Sequence, residues 1–127
     1  MGMFQVKVRV ENPREAGRAF EEKFWVDTGA LYSFVPAPLL EKIGVTPTLS
    51  REFVLADGRH EKLPVGEAIL NIEGSSERIT CLVAFAPPSS LMLLGATALE
   101  NFGVDADPVN RTLKPVTAVI GGHLTSH

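Results

Sequence analysis

Phe4, Val6, Val8 and Val10 alternate with Gln5, Lys7, Arg9 and Glu11, the period of two that marks a half-buried strand. Asn, Pro and Gly punctuate residues 12–17 as a turn. Ala19–Val26 then reads as the returning arm of a hairpin. That arm closes on an apolar run, Phe24-Trp25-Val26, of residues that favour β structure, and leads straight into Asp27. The chain turns apolar again at Phe34-Val35. A short helix follows over residues 36–45, with prolines near its start and Gly44 at its end, and Thr46-Pro47-Thr48 breaks it. Residues 51–56 and 59–63 are strand-like arms joined by Asp57-Gly58, a strong tight-hairpin signal. Pro64 predicts that the returning arm lies at an edge. Residues 67–73 and 78–84 form another hairpin across Gly74-Ser75-Ser76. After the loop at residues 87–90 come a short buried strand, Leu91-Met92-Leu93-Leu94, and a helix over residues 96–102 closed by Gly103. Residues 104–110 read as a turn, residues 111–116 as a last strand, and residues 121–127 as a loose tail.

One sequence pattern occurs twice. Leu40-Glu41-Lys42-Ile43-Gly44-Val45 is matched by Leu99-Glu100-Asn101-Phe102-Gly103-Val104. Each copy closes a short helix that follows an apolar strand and a small-residue turn. The chain therefore reads as two rounds of hairpin, strand and helix. The first strand ends in Asp27-Thr28-Gly29 and the second in Leu93-Leu94-Gly95, so only one round brings an acid.

Composition narrows the field. A chain of 127 residues with 45% apolar and 21% charged residues fits one soluble domain. The net charge of −3 and the lack of a basic stripe argue against nucleic acid as the main partner. The single cysteine, Cys81, excludes an intrachain disulfide and sits in a strand-like run, Ile79-Thr80-Cys81-Leu82-Val83, as a buried apolar residue would. The first residues lack the apolar stretch of a secretory leader. No apolar run approaches the ~20 residues of a membrane-spanning helix. The cytoplasm is the expected location, with no membrane partner.

The chemistry centres on Asp27. A carboxylate at the end of a buried strand is costly unless something holds it. Gly29 lets the backbone come close, and backbone N–H groups or the Thr28 hydroxyl can bond to the acid. Standing alone, Asp-Thr-Gly after a strand is also an ordinary turn. Of the other aspartates, Asp57 sits in a hairpin turn, and Asp105 and Asp107 lie by a proline turn. None has a buried strand leading into it. His60, His123 and His127 show no ligand spacing, and Glu41 and Glu100 read as solvated helix faces. No metal or organic cofactor is expected.

These residues resemble the retropepsin-like aspartic proteases, and most closely the small bacterial and archaeal members of clan AA. Val26-Asp27-Thr28-Gly29-Ala30, with Ser33 and Val35-Pro36 behind it, looks like the family's catalytic loop. Leu55-Ala56-Asp57-Gly58 sits where these proteins have their flap. Leu93-Leu94-Gly95 and the helix after it look like the second signature, which packs against the catalytic strand. Residues 107–113 are similar to the last segment before the closing strand. The resemblance covers nearly the whole chain. It implies a mostly β, retropepsin-like acid protease barrel with one or two short helices and one lobe per chain, over residues 1–120.

The same resemblance implies a function. Peptide hydrolysis by carboxylates needs one as general base and one as general acid. Two carboxylates held close together share a proton and titrate as a pair. With one Asp-Thr-Gly per chain, the second acid must come from another copy, in a two-fold dimer. The family's pattern makes Asp27 catalytic, with Thr28, Gly29 and Ala30 supporting it. Thr28 would link the two loops across the axis, Gly29 would brace the carboxylate and Ala30 would line the floor. Ala56, Asp57 and Gly58 would close over an extended peptide substrate. In viral relatives both termini build the dimer interface, and the form of the interface here stays open. The rival readings are a catalytically silent peptide-binding or dimerisation module, and a plain β-barrel structural domain.

Overall fold

A computed structural model describes residues 4–117; the expected tail at 121–127 lies outside the described residues. The nine strands are β1 (Gln5–Glu11), β2 (Ala19–Val26), β3 (Ser33–Pro36), β4 (Pro47–Val54), β5 (His60–Ile72), β6 (Ile79–Ala86), β7 (Leu93–Leu94), β8 (Val104–Asp107) and β9 (Thr112–Pro115). The two helices are α1 (Ala37–Lys42) and α2 (Ala96–Asn101). Seven strands form one sheet in the order β1-β2-β7-β3-β6-β5-β4, and β1 also pairs with β5. That extra pairing closes six of the strands into a barrel and leaves β4 hanging from β5. Closure hides edges that an open sheet would expose.

The alternation in β1 does what its period implies. Val8 and Val10 are fully buried and meet Phe24 and Val26 of β2, Val35 of β3 and Leu94 of β7 in one core. β2 returns beside β1 in antiparallel register, Val6 opposite Phe24 and Gln5 opposite Trp25. β5 is one continuous strand where the sequence suggests two. It pairs successively with β4, β6 and β1 along its length. Pro64 interrupts nothing because the β6 ladder starts only at Val65, opposite Ala84. At that point β5 has β4 on one side and no strand of the β6 ladder on the other, so Pro64 sits where β5 is locally an edge.

Three local expectations differ from the structure. Pro47 starts β4 instead of breaking the chain, because β4 is the edge strand and a proline at its first position loses no ladder bond. Residues 104–107, expected in a turn, form β8 and pair with β9, Asp107 opposite Thr112. The short helices end earlier than their sequence pattern suggests, α1 at Lys42 and α2 at Asn101. Among the described residues no helix is long and apolar enough to cross a membrane.

The turn after β1 holds α1 in place. Asn12 Nδ2 donates to the Ile43 carbonyl at 2.9 Å, and Arg18 Nη2 donates to that of Lys42 at 2.8 Å. Both oxygens lie at the helix C-terminus, where carbonyls lack partners in the helix. Next to this turn Glu11 is only 5% exposed. Its carboxylate accepts from Arg78 and from the Gly17 N–H. The Arg78 guanidinium, and then the Gly17 N–H, hold the Glu11 carboxyl below the usual glutamate value of 4.5 against the opposing effect of burial. A lowered carboxyl contributes stability that is complete above the unfolded value and is lost as pH falls through the folded one. Wild type should therefore lose stability from about pH 4.5 downward. Glu11→Gln should be weaker at neutral pH but fall less steeply, which urea unfolding at neutral pH and at about pH 3 will measure. Parallel curves for the two proteins would remove Glu11 from the acid response.

Candidate active site

Asp27 is delivered by a strand whose end is bonded on both sides. The Trp25 N–H donates to the Met92 carbonyl at 2.9 Å, that of Val26 to Phe4 at 2.8 Å, and that of Asp27 itself to Leu94 at 3.0 Å. β2 and β7 run parallel here, Trp25 beside Leu93 and Val26 beside Leu94. Val26 faces the core. Trp25 and Asp27 are half-buried on the opposite face, as the period of two requires.

Beyond Asp27 the chain turns sharply. The Gly29 N–H donates to Asp27 Oδ1 at 3.0 Å, and the Ala30 N–H returns to the Asp27 carbonyl at 3.2 Å. A Cβ on Gly29 would lie 3.3 Å from that same Oδ1, tighter than an ordinary contact. The glycine therefore keeps room for the carboxylate beside the backbone. Thr28 and Gly29 are exposed, and Ala30 is half-buried.

The loop is laced to the second half of the repeat. The carbonyls of Ala30 and Leu31 accept from the N–H groups of Ala96 and Thr97 at 2.7 and 3.0 Å. These are donors of the first turn of α2, which the helix itself cannot satisfy. Ser33 is 1% exposed, and its Oγ accepts from the Gly95 N–H at 3.1 Å. Gly95 is pressed so closely on the loop that a Cβ there would fall 2.3 Å from the Tyr32 carbonyl oxygen. Asp27-Thr28-Gly29 and Leu93-Leu94-Gly95, far apart in sequence, thus form one unit.

Ala56, Asp57 and Gly58 lie exposed in the turn between β4 and β5. The Gly58 N–H donates to the Leu55 carbonyl and the Leu55 N–H to that of Arg59, each at 2.8 Å. Gly58 has φ +86°, a left-handed conformation that glycine adopts without strain. Asp57 accepts from the Arg59 N–H at 3.0 Å and pairs with Arg59 Nε at 2.6 Å. These bonds, the backbone one first, hold the Asp57 carboxyl below the usual aspartate range. Asp105 and Asp107 are also engaged locally. Asp105 accepts from the Ala106 N–H, and Asp107 from Val109 and Asn110. All three carboxylates accept from residues near them in the chain.

Other candidates resolve simply. His60 lies 3.2 Å from Glu52 Oε2 on the hairpin, and His123 and His127 fall outside the described residues. Among the described residues no group of three or more His, Cys, Asp or Glu could hold a metal ion. Cys81 is buried, and burial pushes its thiol up. Two features escape a reading of the sequence. One is Ser33 as the acceptor for Gly95. The other is an aromatic cluster in which Phe53 of β4 meets Tyr32 and Phe34. Both join segments that no local pattern connects.

Neither protein-family models nor curated protein sequences match the chain. Solved structures do. An EIAV protease complexed with the inhibitor HBY-793 superposes with a TM-score of 0.54 at 16% identity, covering 81% of this chain and 90% of that one. The retroviral protease-like domain of Ddi1 from Leishmania major gives 0.55 at 16%, over 91% and 89%. A Legionella pneumophila protein of unknown function gives 0.53 at 15%, over 84% and 92%. The chain has the retropepsin-like fold: mostly β, two short helices, a single lobe. At these identities the likeness is one of fold.

Proposed function

We propose that this chain is one half of a homodimeric aspartic endopeptidase, of the small bacterial and archaeal retropepsin-like type. The observation that carries the reading is the setting of Asp27. Its carboxylate stands half-exposed at the end of a buried strand, with the Gly29 N–H on one oxygen, in a loop tied to β7 and α2. The Gly29 bond by itself is one that ordinary turns also make, as at Asp57; the buried strand before Asp27 and the ties to β7 and α2 set this turn apart.

Two such chains related by a two-fold axis bring two Asp27 side chains to one water. The ionised carboxylate takes the proton from the water as it attacks the peptide carbonyl carbon, and the protonated partner donates to the carbonyl oxygen. The roles reverse as the tetrahedral centre collapses, when a proton reaches the leaving amine. Thr28 of each loop holds the pair across the axis, and Ala30 lines the floor. Residues 56–58 close over an extended peptide that adds as a strand between hairpin and floor.

Digestion of a peptide library read by mass spectrometry tests this. Wild type should cut, and Asp27→Asn should lower the rate by roughly a thousandfold, the scale of one lost acid–base group. The variant should stay folded and dimeric, because the amide still accepts from Gly29. Identical digests from the two proteins would leave a silent peptide-binding module as the better reading.

A further inference from the structure

The β4–β5 hairpin outgrows the sheet that carries it. β6 joins β5 only from Val65 onward, whereas β4 follows β5 outward to Val54 opposite His60. The part between Arg51 and Leu63 is a two-stranded ribbon. Such ribbons are marginal in water by themselves, so something must hold this one against the protein. Side chains alternate across it. Phe53, opposite Glu61, shares its face with the buried Leu63 and Val65, while Val54 on the other face is 66% exposed.

The Phe53 ring is the part that reaches the site. It meets Phe34 with centroids 5.1 Å apart and planes at 68°, and Tyr32 at 5.9 Å and 73°. Both are edge-to-face geometries, which aromatic pairs favour. Tyr32 ends the loop and Phe34 lies in β3, on either side of Ser33, whose Oγ accepts from the Gly95 N–H. Gly95 packs on the Tyr32 carbonyl, and Phe34 pairs with Leu93. In the sheet order β4 is separated from β3 by β6 and β5. The contact therefore exists only because the hairpin folds back over the loop that begins at Asp27.

We infer that Phe53 is a positioning residue, its ring latching the turn at residues 56–58 to the Asp27 loop through Tyr32 and Phe34. The consequence for turnover rests on the peptidase reading; the latch itself does not. With the ring in place, the hairpin starts near its working position over the loop. Without it, the ribbon samples open positions, and a bound peptide must supply the ordering. Apparent affinity then falls by the fraction of molecules still closed.

Three substitutions test the latch. Phe53→Ala removes the ring, Phe53→Leu keeps bulk so that the fold is retained, and Phe53→Tyr keeps the ring. The Ala and Leu variants should raise KM about tenfold and change kcat less than about threefold, and Phe53→Tyr should restore the wild-type KM. A second readout needs no turnover. Tyr32 is the single tyrosine, so 3-fluorotyrosine labels that ring alone. Its fluorine resonance should shift in the Ala and Leu variants, and amide exchange at Leu55 and Gly58 should quicken about tenfold. An unmoved resonance with unchanged exchange in Phe53→Leu overturns the latch, and so does a KM loss as large in Phe53→Tyr as in Phe53→Ala. If resonance and exchange respond as stated while no variant, nor wild type, cuts any peptide, the latch stands and the peptidase reading falls.

Discussion

Wild-type protein mixed with a ninefold excess of Asp27→Asn subunits will keep about one tenth of its activity, once subunits have exchanged. The reason is the count of acids. Asp57, Asp105 and Asp107 are each bonded to residues near them in the chain, which leaves Asp27 as the one of the four aspartates whose loop is tied to β7 and α2. If two are needed, a mixed dimer has half a centre. With nine inactive subunits for each active one, about nine in ten wild-type chains find an Asn opposite, and the product of two fractions governs the rate. A subunit that worked alone would keep its full rate at any mixing ratio. Dilution of wild type gives the same test in another form, because activity per chain should fall with the dimer fraction. Steady hydrolysis assays across the mixing series, with light scattering on the same samples, separate these outcomes. Unchanged specific activity at ninefold excess would reject the shared site.

Much of the strand content, and the place of Asp27 in it, could be read from local pattern. The alternation at Phe4 to Val10 identifies β1, the apolar run before Asp27 identifies the end of β2, and the glycine at position 103 closes α2 where the structure turns. The small residue after Thr28 matches the 3.0 Å bond from Gly29 to the acid. What stayed hidden is what depends on distant partners. Periodicity says that Trp25 and Val26 lie in a strand, but not that Leu93 and Leu94 run parallel beside them. Pro47 reads as a break, and Pro64 as the mark of an edge strand, because a proline's cost depends on whether its N–H would face a neighbouring strand, which only topology decides. Val104 to Asp107 carry polar residues typical of turns, yet pairing with β9 makes them a strand. The ring contacts of Phe53 need the hairpin to curl over the loop. No spacing in the chain reports that curl.

Gly95→Ala should be the most damaging glycine-to-alanine change among the described residues, costing about 3 kcal/mol or more of stability. Conformation is not the cause, since Gly95 is extended, with φ −92° and ψ 176°, which any residue adopts. Space is the cause. The new Cβ would lie 2.3 Å from the Tyr32 carbonyl oxygen, 2.6 Å from its carbon and 2.9 Å from the Ala30 oxygen. All three are backbone atoms, so no side chain can rotate away. The backbone has little freedom to yield either. Ala30 and Leu31 are tied through their carbonyls to Ala96 and Thr97, Ser33 is tied to Gly95, and Phe34 is paired with Leu93. Relief requires prising α2 from the loop that carries Asp27. A contrast is available at Gly58, where a Cβ meets nothing within 4 Å but φ is +86°. There Ala should cost only about 1–2 kcal/mol, the price of a left-handed backbone. Urea unfolding of the two variants, extrapolated linearly to water, measures both losses. A Gly95→Ala loss no greater than that of Gly58→Ala would mean that the loop yields where its hydrogen bonds say it cannot, and the rigid support argued for Asp27 would go with it. Where Gly95→Ala still folds, its displaced loop should also cut peptides more slowly than Gly58→Ala at equal folded fraction, because misplacing a reacting group by about 1 Å can cost roughly a hundredfold in rate.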